Sequence, residues 1–131
     1  MLSAFFAALT AVLAKIGLKG INSNLATAIR CVVIVILAWG IVLFSGEWKD
    51  ARSLTRQNLL FLTLSGIATG LSWIFYFRAL STGPVSKVAP IDKLSVALAI
   101  GLSAILLKEP LDGKVVLGGL LIMAGTFVLI R

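Results

Sequence analysis

Residues 83–111, GPVSKVAPIDKLSVALAIGLSAILLKEPL, decide the fold. The run is apolar over the length of a membrane crossing, with Pro90, Asp92 and Lys93 at its entrance and Lys108, Glu109 and Pro110 at its exit. A charge within a hydrocarbon-length segment costs about 2.5 to 3.5 kcal/mol at the helix centre, so it needs a partner, water or a pathway. The entrance charges therefore mark this stretch as a place to look for function. Its interior carries small residues in two rows, Ser95, Ala99 and Ser103 in one and Ala97 with Gly101 in the other. Burial against lipid gains little, and rows of this kind let helices pack there.

The rest of the chain has the same character. Of its 131 residues 60% are hydrophobic and 13% charged, against about 45 to 50% and 25% in soluble domains. The net charge of +7 comes from 12 Lys and Arg that fall mostly between apolar runs. A nucleic-acid surface would gather them on one stripe, whereas basic loops are what a bilayer-spanning chain collects. With one cysteine, Cys31, and no histidine, neither an internal disulfide nor the usual metal-ligand cluster can be assembled. Of the five acids, Glu47, Asp50 and Asp112 fall in connections, and no nucleophile–base pair is visible, so neither an enzyme nor a cofactor is expected.

Five spans are predicted, at about 2–18, 26–44, 59–80, 88–107 and 114–130, giving an all-α integral membrane protein. The first is the shortest, and its abrupt start at Met1 is what loss of a few preceding residues would leave; its lysines, Lys15 and Lys19, follow the apolar run, where a signal peptide would place them before it. Residues 20–24 form a turn, and 45–58 an interfacial loop or short amphipathic helix, with Trp39 and Trp48 near the headgroups. In the third span Gly66, Thr69, Gly70, Trp73, Tyr76 and Phe77 recur at helical spacing, either as a packing face or as a cavity wall. Five crossings put the termini on opposite sides. Lys49, Arg52, Arg56, Lys108 and Lys114 then share one side, and Lys15, Lys19, Arg30, Arg78, Lys87, Lys93 and Arg131 the other. Setting aside the partly embedded Lys15 and Lys93 balances the two, which is compatible with insertion in both orientations.

In order and spacing the chain resembles the EamA-like domain of the drug/metabolite transporter superfamily. The resemblance rests on Lys15 in AKIGLK, Arg30 in ATAIRCVV, FYFRAL at 75–80, the glycine–proline turn with Pro90, ILLKEPL with Glu109, and Gly118, Gly119 and Gly125 in the last span. It implies one five-helix repeat, half of a ten-helix transporter whose substrate path lies between inverted halves. An antiparallel, dual-topology homodimer in the inner (plasma) membrane, working by alternating access on a small metabolite or drug-like molecule, is the expectation. The four-helix multidrug exporters are similar in logic, but they carry a glutamate in the middle of helix one, where this chain has only Lys15. Two other readings keep the fold: a non-transporting subunit that pairs with another repeat, and a flippase of lipid-linked sugars.

The candidate substrate contacts are Thr69, Ser72, Trp73 and Tyr76 from the third span, with Lys15, Arg30, Asp92 and Lys93 as ionic groups. Neighbours on a helix point about 100° apart. Asp92 is accordingly expected to pair with Lys15 or Arg30, leaving Lys93 to headgroups or an anionic substrate. Glu109, beside Pro110, is expected to anchor a turn.

Overall fold

The computed structural model describes residues 1–131, which are helical with no strand. In order these are α1 (Leu2–Gly17), α2 (Ser23–Ser45), a 3₁₀ helix (Glu47–Ser53), α3 (Arg56–Thr82), α4 (Val85–Asp92), α5 (Leu94–Leu106) and α6 (Gly113–Ile130). Four stretches are long and apolar enough to cross a bilayer: Ser23–Ser45, Arg56–Thr82, Val85–Leu106 and Gly113–Ile130. The 16 residues of α1 rise about 24 Å, short of a hydrocarbon core of about 30 Å. Side chains such as Phe6, Val32, Ile36, Leu62 and Leu98 are exposed along these helices. In water so much apolar surface would drive aggregation, whereas lipid solvates it at no cost. The chain is a multi-pass membrane protein.

Local chemistry sets the helix ends. The Asn24 N–H donates to Asn22 Oδ1 at 2.8 Å, which caps the start of α2, and Gly46 ends that helix at φ +76°, a left-handed conformation where glycine meets no Cβ penalty. Thr55 Oγ1 accepts from the Asn58 N–H at 3.2 Å and opens α3. Lys108 takes the left-handed conformation after α5, with φ +56°, and the turn brings the Glu109 N–H to Ser103 O at 3.4 Å.

The chain divides into two compact units, Leu13–Ser81 and the pair of segments Met1–Val12 and Thr82–Arg131. In the second, α4 and α5 both pack on α6. The packed face of α6 runs through Gly119, Ile122, Met123 and Thr126, at i, i+3, i+4 and i+7. A Cβ on Gly119 would stand 3.4 Å from Ile100 Cδ1, so this glycine is where α5 comes closest. Of the small residues predicted as packing rows on α5, Ala97 and Ser103 are half-buried, while Ser95, Ala99 and Gly101 are exposed.

The fourth span is two helices rather than one. Pro90, inside α4, has no N–H to give to the carbonyl four residues back, and two residues beyond it the helix stops at Asp92 and restarts at Leu94. Lipid offers no partner to backbone groups at such an interruption. Pro90 O keeps the Lys93 N–H at 3.0 Å, and hydroxyls add to the junction. Thr126 Oγ1, on a residue only 3% exposed, lies 3.2 Å from Pro90 O and 2.8 Å from Ile122 O, and Ser95 Oγ donates to Asp92 O at 2.6 Å. Thr126→Val should therefore destabilise this unit by about 0.6 to 1.7 kcal/mol, the range of interhelical hydrogen bonds in lipid. Amide exchange at residues 93–96 should speed up, and unchanged exchange there would show that the break needs no support from α6.

Candidate functional site

The residues with chemical potential collect at one end of the Leu13–Ser81 unit. The end of α1, the start of α2 and the last turns of α3 meet there, through Lys15, Arg30 and the residues they touch. Phe77 and Leu80 are the most deeply buried large side chains of the chain, 1% and 0% exposed. With Trp73 they stand at i, i+4 and i+7 on one face of α3.

Both embedded cations of the unit lie against this face. Lys15 Nζ donates to Leu80 O at 2.7 Å. That carbonyl is among the last four of α3, which have no partner within the helix, and a lysine there also meets the negative end of the helix dipole. Arg30 lies one turn further along α3. Its Cζ stands 4.3 Å from the Phe77 ring centroid and 5.5 Å from that of Trp73, which is cation–π distance in both cases. The Tyr76 ring meets Phe77 edge-on at 5.8 Å. Arg30 Nη1 is buried with no hydrogen-bond partner.

The unit supplies no acid to balance that charge. Its only carboxylates, Glu47 and Asp50, belong to the 3₁₀ helix beyond the far end of α2, about 25 Å along the chain from Arg30. Lys15 is held by a helix terminus and Arg30 by aromatic faces, which leave the guanidinium edge unsatisfied.

The remaining candidates are placed differently. Trp73 and Tyr76 are half-buried on the face that carries Phe77, while Thr69 and Ser72 are exposed, and the Thr69 hydroxyl is spent on Ser65 O at 2.9 Å within α3. Asp92 and Lys93 sit at the break between α4 and α5. That is about 12 Å from the start of α4. Asp92 takes Lys93 as its ion partner at 3.7 Å, correcting the expectation that assigned it to Lys15 or Arg30. Lys93 keeps right-handed helical backbone angles, φ −71° and ψ −13°, and its long flexible stem is what brings Nζ to the neighbouring carboxylate. Glu109 anchors the turn through its backbone N–H.

Phe77, which helical spacing placed on the α3 face, is the residue missing from the candidate contacts. Its position four residues after Trp73 carried the signal, but an apolar ring on an apolar helix gives no sign that it covers a cation. A groove of about 340 Å³ runs along the opening turns of α3, lined by Arg56, Leu59, Leu60, Thr63 and Leu64. All five come from one helix, so the groove has no opposing wall. No group of three or more His, Cys, Asp or Glu is placed to hold a metal ion.

The family model of the EamA-like transporter family matches residues 1–131. An uncharacterized transporter in the cobO 3′ region of Sinorhizobium sp. is 46% identical over 129 residues, 98% of this chain and 92% of that protein. The uncharacterized transporter YvbV of Bacillus subtilis (strain 168) is 33% identical over 86 residues, 63% of this chain and 28% of its own length. No solved structure matches the chain. On the match over its whole length and the identity to a similarly sized transporter, the chain belongs to the EamA-like transporter family.

Proposed function

We propose that two copies of this chain, inserted in opposite senses in the inner (plasma) membrane, form one transporter that moves a small metabolite or drug-like molecule by alternating access. The observation that carries the reading is a ratio of lengths within the family. The 86 matched residues are 28% of the Bacillus relative, which is therefore about 310 residues long, whereas 129 residues at 92% make the Sinorhizobium relative about 140. One family thus includes chains of one and of about two such lengths. A transporter built from two inverted repeats is reached either by one long chain or by two short ones of opposite orientation.

The reading needs five crossings. The meeting of the α1 end with the α3 end, through Lys15 and Leu80, supports α1 as a crossing parallel to α3. Its shortfall in length is met by local thinning of the bilayer, with Lys15 and Lys19 reaching the headgroups. On this view the full chain is a single five-helix EamA-like domain, and the substrate path between two copies draws on Lys15, Arg30, Trp73, Tyr76, Asp92 and Lys93. Thr69 and Ser72, exposed on their own chain, would reach the path from the face turned to the second copy.

Alternating access requires an element with two arrangements. The α4–α5 break is suited to that role, since a discontinuous helix places charged groups and free backbone ends within the membrane. The Asp92–Lys93 pair lies at that point, and exchange of its partner for substrate would couple binding to bending. Asp92→Asn should cut flux in proteoliposomes about tenfold, equivalent to about 1.4 kcal/mol, while insertion and helical content stay as in the parent. Unchanged flux would remove Asp92 from the path and leave the site on α3.

A further inference from the structure

One embedded charge of the Leu13–Ser81 unit is left uncompensated. Lys15 donates to Leu80 O, but Arg30 has two rings on its faces and a buried Nη1 without an acceptor. Aromatic faces stabilise the plane of a guanidinium; they offer nothing to its N–H edge, which takes oxyanions in bidentate geometry. The unit's two acids lie beyond the far end of α2. An arginine kept within a span at such cost is held there by what it binds.

We infer that Arg30 receives the anionic group of the transported molecule, and that this molecule is an organic monoanion, a carboxylate or sulfonate, with a flat apolar body laid along Trp73. A single charge is assigned because Lys15 is already bound to Leu80 O, whereas Arg30 is the embedded cation of the cluster with a buried N–H group that has no acceptor. The flat, largely apolar body follows from the walls: Trp73 is half-buried, Phe77 is buried, and the half-buried Tyr76 beside them adds a third ring. Arg30 itself is half-buried, so part of its fork stays open to an incoming oxyanion. The inference rests on the transporter reading for its biological sense, but binding at Arg30 can be measured without transport.

The test uses the full-length protein carrying Trp39→Phe and Trp48→Phe, in which Trp73 is the remaining tryptophan of three, in phosphatidylcholine nanodiscs. Benzenesulfonate, a permanent anion, should quench Trp73 saturably, and benzyltrimethylammonium, a similar ring bearing a cation, should not. Arg30→Lys keeps the charge and loses the fork, and should weaken binding about tenfold. Arg30→Gln should remove it. Equal quenching by the cation overturns the inference, as does benzenesulfonate binding that is unchanged in both Arg30 variants. Phosphatidylglycerol added to the nanodisc that abolishes benzenesulfonate quenching even at excess benzenesulfonate also overturns it, because Arg30 then holds a lipid headgroup. Flux measurements separate this inference from the transporter reading. Benzenesulfonate binding without flux leaves the anion site standing and counts against transport. Flux confined to benzyltrimethylammonium leaves transport standing and overturns the anion site.

Discussion

Phe77→Ala should lower the stability of the folded protein in the membrane by about 2 to 3 kcal/mol. Soluble cores lose about 3 to 5 kcal/mol for this change, as the sum of a transfer term and a cavity term. Lipid removes much of the transfer term, since an unfolded helix still solvates the ring in hydrocarbon. The cavity and the lost dispersion contacts remain. Phe77 is 1% exposed, so little of its space can collapse, and its ring is the nearer of the two that face Arg30, at 4.3 Å. Loss of that cation–π contact adds a further part, of order 1 kcal/mol. The control is two residues away: Phe75 is 67% exposed, and Phe75→Ala should change stability by less than about 0.5 kcal/mol. Reversible unfolding in mixed micelles, read by tryptophan fluorescence, measures both. Equal losses for the two variants would mean that the face of α3 carrying Phe77 and Leu80 is not a packed core.

The second large effect has opposite signs in its two readouts. Arg30→Met should abolish transport while leaving stability unchanged or raising it by about 1 kcal/mol. Replacing an embedded charge by an apolar side chain of similar length is often neutral or stabilising, because the desolvation cost disappears with the charge. Here the gain is offset by the loss of two cation–π contacts, to Trp73 and Phe77, so the net change is small. A purely structural arginine would behave otherwise, with stability and transport falling together. Running the unfolding assay beside proteoliposome flux on the same preparation separates the two cases.

These expectations draw on features that were unevenly legible in the sequence. The long apolar helices were clear, because hydropathy over some twenty residues reports directly on a lipid environment. The junctions were clear too: Asn22, Gly46 and the Gly83–Pro84 pair are residues whose backbone chemistry ends or starts helices. The interruption at Lys93 was not. Membrane helices tolerate proline when neighbouring groups support the backbone around it, and one that reaches Pro90 O here, Thr126, lies 36 residues away. Local pattern carries no record of that contact.

The same limit explains the site. Asp92 was paired with Lys15 or Arg30 because opposite charge is the signal a sequence displays. The partners of Arg30 are aromatic rings on α3. Attraction between a cation and a ring face has no charge pattern to read, and Phe77 looks like any other apolar residue of a span. The face on α3 was drawn too long for a related reason. Helical spacing joined Gly66 and Thr69 to Trp73 and Phe77, but spacing shows which residues share a face, not how far along the helix a neighbour reaches. Within the chain that face is covered only from Gly70 onward.

Family membership places the chain among transporters, and the proposed antiparallel pair makes the sharpest claim about how so short a chain would work. Orientation is the direct measurement. With Cys31→Ser removing the native cysteine, Arg131→Cys places a single thiol at the C-terminal end. A membrane-impermeant maleimide applied to intact cells should label about half of the copies and permeabilisation should expose the rest, as two orientations of one chain require. Labelling of all copies from outside, or of none until the membrane is opened, would show one fixed orientation and contradict the inverted pair.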